Sequence, residues 1–92
     1  MNELKISSKK IADILKRRNN DLVKTIGHLI KFLGDDNFSE SKYISRGKEY
    51  KEYLVTKEGA EILINRVKFY KEEEYENMVK ELEDLYGCKL KH

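Results

Sequence analysis

The sequence predicts an α+β domain that is mostly helical, and three observations support this prediction. Apolar residues recur at helical spacing in four segments of the 92-residue chain. Two β-prone runs separated by a glycine lie between the second and third of these segments. The chain contains no proline, and its 39% of hydrophobic residues suffice for one modest core. We therefore expect one compact domain and not a disordered chain.

The first elements are a possible strand and a helix. Residues 4–7 alternate apolar and polar side chains, as in a short strand. A helix should follow over about residues 8–16, with Ser7 or Ser8 as the N-cap, because a serine oxygen accepts from a free N–H of the first turn. Its predicted core-facing residues are Ile11, Ala12 and Leu15.

The second helix should begin at Asn19 or Asn20, which are both good caps, and end at Leu33 before Gly34. Its apolar positions are Leu22, Val23, Ile26, Leu29, Ile30 and Leu33. The side of the helix opposite this apolar stripe has no carboxylate. It consists of Asn20, Lys24, Gly27, His28 and Lys31.

A hairpin and a third helix come next. The β-prone runs Tyr43–Ser45 and Tyr50–Val55 flank Arg46-Gly47-Lys48, where the glycine permits a turn, so we expect a short hairpin. Thr56 should cap a helix over about residues 57–68. Its inner face would consist of Ala60, Leu63, Ile64 and Val67.

The C-terminal segment, residues 71–87, predicts an amphipathic helix. Its apolar residues are spaced 3, 4 and 3 apart, like a short coiled-coil seam, and they are Tyr75, Met78, Leu82 and Leu85. Between Glu72 and Asp84 seven acidic residues accompany only Lys80. The stripe either pairs two copies as a homodimer or folds back onto the core of its own chain. We favour the homodimer, because closed two-fold dimers are the commonest oligomers.

Charge is unevenly distributed along the chain. Residues 1–33 carry a net charge of +5, residues 34–66 of −1 and residues 67–92 of −2. The basic N-terminal third includes Arg17 and Arg18, which lie between the first two predicted helices. A basic surface of this kind indicates a polyanionic partner.

Two helices joined by a short turn and followed by a hairpin have the order of a winged helix-turn-helix, which binds double-stranded DNA. The expected phosphate contacts are Arg17, Arg18, Lys24, Lys31, Arg46 and Lys48. The expected base contacts are Asn20, His28 and also Asn19. The alternative is a pair of packed helices whose basic face is merely solvated.

Residues 4–67 resemble the phage regulatory protein Rha family. The resemblance lies in ISSKKIADILKRRNNDLVKTI, in GDDNFSESKYI and in YLVTKEGAEIL. It implies the stand-alone N-terminal type of this family: a phage or prophage regulator of transcription with a winged helix-turn-helix domain. We expect this domain over residues 1–68, with the C-terminal amphipathic helix of residues 69–92 in the same compact unit. The family usually has His followed by Lys or Arg where this chain has Asn19-Asn20.

Other classes of function find less support in the sequence. His28, His92 and Cys88 show no metal-ligand spacing, and there is no glycine-rich phosphate loop, so we expect neither an enzyme nor a cofactor. No apolar signal or membrane segment is evident, and we expect a location in the bacterial cytoplasm. A rival prediction is a phage inhibitor that binds a host protein, for example a CRISPR effector, through its acidic tail.

Overall fold

The computed structural model describes residues 4–66 and 71–90, which form an α+β arrangement. The elements in chain order are β1 (Ile6–Ser7), α1 (Ser8–Leu15), α2 (Asn19–Leu33), β2 (Phe38–Ser45), β3 (Lys48–Val55), α3 (Lys57–Ile64) and α4 (Glu72–Tyr86). In the described part of the chain the strands make one antiparallel sheet in the order β1-β3-β2. The predicted α+β, mostly helical class is confirmed.

The β2–β3 hairpin is longer than predicted. Each strand has eight residues, and Ser45 pairs with Lys48 across the two-residue turn Arg46-Gly47. Both turn residues have positive φ, 51° and 77°, as in a type I′ turn whose twist matches that of the strands. The predicted three-residue tip was therefore wrong, because Lys48 belongs to β3. The polar start of β2 was missed because its pairing with β3, and not its own β propensity, makes it a strand.

A tight cap ends α1. Ser7 is the N-cap of this helix and accepts a hydrogen bond from the N–H of Lys9, as predicted. At the other end Lys16 has a left-handed conformation, with φ 58° and ψ 41°. The N–H groups of Lys16 and Arg17 donate to the carbonyls of Asp13 and Ala12, which is the Schellman pattern. The chain can therefore turn within residues 16–18 and begin α2 at once.

The N-cap of α2 is Arg18, and not Asn19 or Asn20 as predicted; Arg18 makes no side-chain capping bond. Asn19 is the first helical residue, and its amide serves another purpose. Its Oδ1 accepts from the buried hydroxyl of Ser8 at 2.9 Å, and its Nδ2 donates to the carbonyl of Lys51 at 3.1 Å. The Ser8 hydroxyl also accepts a backbone N–H of β3 at 3.0 Å. This network joins α1, α2 and the sheet.

Thr56 begins α3 as predicted. Its hydroxyl accepts from the N–H of Gly59 at 3.1 Å and donates to Oδ1 of Asn37 at 2.9 Å. Its own N–H donates to the carbonyl of Asn37. The helix ends at Ile64, short of the predicted residue 68, and the predicted core residue Val67 lies outside the described residues.

The core-facing sides predicted for the first three helices are largely confirmed. The predicted residues that are buried are Ile11, Ala12, Leu15, Leu22, Ile26, Leu29, Ala60, Leu63 and Ile64. Leu33 was assigned to the apolar stripe of α2 but is 55% exposed, because it lies in the last turn of the helix. No helix among the described residues has the length and apolar character needed to cross a membrane.

The apolar stripe of α4 packs onto the core of its own chain. Met78 and Leu82 are 3% and 0% exposed, and Tyr75 and Leu85 are partly buried against the same core. Folding back therefore already removes most of the stripe from water within one chain, which is the alternative that the sequence left open. The dimer seam assigned to these residues stays a prediction, as does homodimerisation.

Candidate nucleic-acid interface

The outward side of α2 presents a basic and polar face. Asn20, Lys24, His28 and Lys31 are all exposed, as their helical spacing predicted. Asp21 is exposed as well and lies at the edge of this face. An acidic residue in the first turn interacts favourably with the positive end of the helix dipole.

The turn before α2 adds further positive charge. Lys16 and Arg18 are exposed, whereas Arg17 is half-buried. The left-handed conformation of Lys16 costs a non-glycine residue roughly 1–2 kcal/mol. Glycine or asparagine is the usual choice at this position of a helix end, so the lysine is not explained by local backbone preference.

The turn of the hairpin also has a cationic residue in a left-handed conformation. Arg46 is exposed and has a φ of 51°, in a turn position that favours asparagine, aspartate or glycine. Lys48 is exposed beside it, and Ile44 is 78% exposed on the neighbouring strand. In the described part of the chain, Lys16 and Arg46 are the two non-glycine residues with positive φ. Both are cations.

Two other lysines of the hairpin are already paired. Lys42 Nζ lies 3.4 Å from a carboxylate oxygen of Glu49, and Lys51 Nζ lies 3.6 Å from Glu40. The Lys51 ammonium is also 5.2 Å from the ring centroid of Tyr53, whose phenol, together with Glu40, raises the pKa of Lys51. Within residues 4–66 and 71–90 the cations that form no salt bridge include Arg18, Lys24, Lys31, Arg46 and Lys48.

Two tyrosine rings stack across the hairpin, between its turn and the helices. Tyr43 and Tyr50 stack across the two strands with centroids 5.3 Å apart. Lys9 of α1 places its ammonium 4.7 Å from the Tyr43 ring centroid, a cation–π contact. None of these three residues was predicted to have a role. Their only signal was the hairpin register, which pairs Tyr43 with Tyr50.

Asn19 is the predicted contact residue whose position differs most from expectation. It is half-buried, and both ends of its amide are hydrogen-bonded inside the domain. Reading a base would require breaking those bonds. Asn20, one residue later, is exposed on the outer face of α2.

A second charged surface lies on α4. Its exposed acidic residues are Glu72, Glu73, Glu74, Glu76, Glu81 and Asp84. Across the described residues no three His, Cys, Asp or Glu side chains come together in a way that could hold a metal ion.

One flank of α2 carries an apolar feature that the sequence analysis missed. Phe32 is 84% exposed at the edge of an open cavity of about 380 Å³. Thr25, His28, Leu29 and Arg66 complete the lining of this cavity. The surface of α2 is thus basic on one side and partly apolar on the other.

A family model describes nearly the whole of this fold. The model of the phage regulatory protein Rha matches residues 6–85, from β1 to near the end of α4. The chain belongs to the phage regulatory protein Rha family. Comparison with curated proteins and with solved structures finds no match.

The extent of the family match changes the interpretation of α4. The resemblance seen in the sequence ended at residue 67, whereas the Rha model continues to Leu85. The match thus includes α4, which closes the core over Met78 and Leu82. The boundary predicted between residues 68 and 69 lies outside the described residues.

Proposed function

We propose that this phage regulatory protein binds double-stranded DNA as a winged helix-turn-helix. In this proposal α1 and α2 form the helix-turn-helix, α2 is the recognition helix, and the β2–β3 hairpin is the wing. The order helix, turn, helix, hairpin is the one such domains use. By occupying a regulatory site in phage or prophage DNA, the protein would change transcription in the bacterial cytoplasm.

The observation that carries the proposal is the placement of cations in unfavourable backbone conformations. Lys16 lies in the α1–α2 turn and Arg46 at the end of the wing, both with left-handed φ. Strain of this kind persists where a side chain serves a function that a better-suited residue would not. Phosphate binding explains why both side chains carry positive charge.

The remaining residues take the roles that their exposure allows. Besides Lys16 and Arg46, the residues that would pair with phosphates are the exposed Arg18, Lys24, Lys31 and Lys48 and the half-buried Arg17. Asn20 and His28 are exposed on the outer face of α2 and would reach base edges. A homodimer on a two-fold DNA site is compatible with this arrangement.

DNA binding as a function of salt tests the proposal. Affinity for duplex DNA should fall at least roughly tenfold between 50 and 200 mM salt, because bound phosphates release counterions. Lys24→Ala and Lys31→Ala should each weaken binding and make the salt dependence shallower. Lys80→Ala is the matched control, since Lys80 is also an exposed lysine on a 15-residue helix but lies on the acidic face. Absent or salt-insensitive binding would remove the proposal.

The acidic face of α4 favours a second candidate, an inhibitor that binds a basic surface of a host protein. A pull-down from nuclease-treated host lysate separates the two functions. One host protein recovered in stoichiometric amount supports the inhibitor, and loss of all partners after nuclease treatment supports DNA binding.

A further inference from the structure

Gly27 occupies the middle of α2, where glycine is unfavourable. Apart from proline, glycine is the poorest residue in a helix interior, because it loses the most backbone freedom on folding. A glycine in a helix is usually explained by a neighbour that leaves no room for a side chain. At Gly27 no such neighbour exists among the described residues: an added Cβ would meet nothing within 4 Å.

Gly59 of α3 shows the opposite case. A Cβ there would lie 2.8 Å from Cγ1 of Val55 and 2.9 Å from the carbonyl oxygen of Asn37. The fold itself therefore requires Gly59. The described residues show no such requirement at Gly27, which is half-buried.

The neighbours of Gly27 on the helix surface indicate what approaches it. Lys24 lies one turn before it and Lys31 one turn after it, both exposed and both without a salt bridge in the described residues. The missing side chain of the half-buried Gly27 thus leaves a notch between two exposed lysines. A notch of this kind fits an anionic surface that comes close to the helix backbone.

We propose that Gly27 is a positioning residue, the point at which the DNA sugar–phosphate backbone comes closest to α2. Phosphates on either side of the notch would pair with Lys24 and Lys31, and this contact would set the depth of α2 in the groove. The inference rests on the proposed DNA binding and adds the residue that fixes the docking distance. A methyl group at this position would hold the backbone away from both ammonium groups.

The test is Gly27→Ala, measured for thermal unfolding and for affinity to the same duplex DNA. The unfolding midpoint should rise by roughly 4–6 °C, because alanine favours the helix and the added Cβ meets nothing. DNA affinity should nevertheless fall at least about tenfold. The combination of a more stable fold and weaker binding is one that a purely structural role cannot produce.

Asn77→Ala is the matched control. Asn77 also gains helix propensity on becoming alanine, but it is exposed in the middle of α4, whose exposed side is acidic. Its affinity for DNA should stay within about twofold of the wild type. An equal loss of affinity in both variants would overturn the assignment of Gly27, as would a lowered midpoint in Gly27→Ala.

DNA binding by the wild-type protein distinguishes a failure of the proposed function from a failure of the role proposed for Gly27. If it does not bind duplex DNA at low salt, the proposed function fails before any variant is measured. If it binds and Gly27→Ala binds equally well, only the role of Gly27 is refuted.

Discussion

At the scale of single residues, Arg46 combines an unfavourable conformation with an exposed charge. Its φ of 51° in a type I′ turn suits asparagine better than any long side chain. Arg46→Asn should therefore raise the free energy of unfolding by about 0.5–1 kcal/mol. The same change should weaken DNA binding and lower the slope of log affinity against log salt by about 1, as expected for one lost phosphate contact. Urea unfolding and binding titrations at several salt concentrations measure both effects.

Arg46→Lys is the control for charge. It retains the strained conformation and the positive charge, so the salt slope should stay at the wild-type value. Unchanged DNA affinity in Arg46→Asn would contradict the role given to the wing, whatever its effect on stability.

Single residues also show where prediction from sequence ends. Helical spacing was enough to predict that Lys24, His28 and Lys31 are exposed, because side-chain direction on a helix is a local property. The two hydrogen bonds of Asn19 were not predictable, since their partners are 11 and 32 residues away. The left-handed φ of Lys16 was likewise hidden, because lysine gives no sequence signal for that conformation.

At the scale of elements, the helices were predicted better than the hairpin. The bounds of α2 agree with its periodicity and with Gly34, which are signals within the segment itself. The strand β2 begins at Phe38, five residues before its predicted start, because polar residues become a strand only by pairing with β3. For α4 the apolar stripe identified the buried side correctly but could not identify what covers it.

One hydrogen bond links the last helix to the sheet. Tyr86 of α4 donates its phenol to the carbonyl of Val55 at 2.7 Å, and burial raises the pKa of Tyr86 above the usual value of 10.0. Tyr86→Phe leaves this buried carbonyl without its partner, which should cost about 1–3 kcal/mol at neutral pH. Urea unfolding of both proteins measures the difference.

The same pair of proteins should respond differently to alkaline pH. Because the pKa of Tyr86 is higher in the folded state, its stabilising contribution is complete below about pH 10 and declines as the pH rises further. The stability gap between wild type and Tyr86→Phe should therefore narrow by roughly 1 kcal/mol between pH 9 and 11. A gap that stays constant would show that the phenol titrates alike in both states. Tyrosines common to both proteins cancel in the comparison.

At the scale of the whole molecule, the small net charge of +2 conceals two surfaces of opposite sign. The turn before α2, the outer face of α2 and the end of the wing are basic, whereas the exposed side of α4 is acidic. A DNA-binding protein needs the first surface and an inhibitor of a basic host protein needs the second. Charge reversal on each surface can therefore distinguish the two functions.

Two double variants make this comparison without disturbing the helices. Arg18→Glu with Lys24→Glu puts one acid at the N-cap of α2 and one in its N-terminal half. Glu81→Lys with Asp84→Lys puts bases in the C-terminal half of α4. Both placements are neutral or favourable for the helix dipole, and all four residues are exposed, so the unfolding midpoints should stay close to that of the wild type.

The first variant should lose DNA affinity by orders of magnitude on any duplex sequence, since phosphate contacts position the protein without specifying bases. The second should bind DNA at least as well as the wild type, because it removes negative charge. If the first variant keeps DNA affinity while the second loses its effect on phage regulation, the acidic face of α4 is the working surface and the inhibitor replaces the DNA-binding regulator.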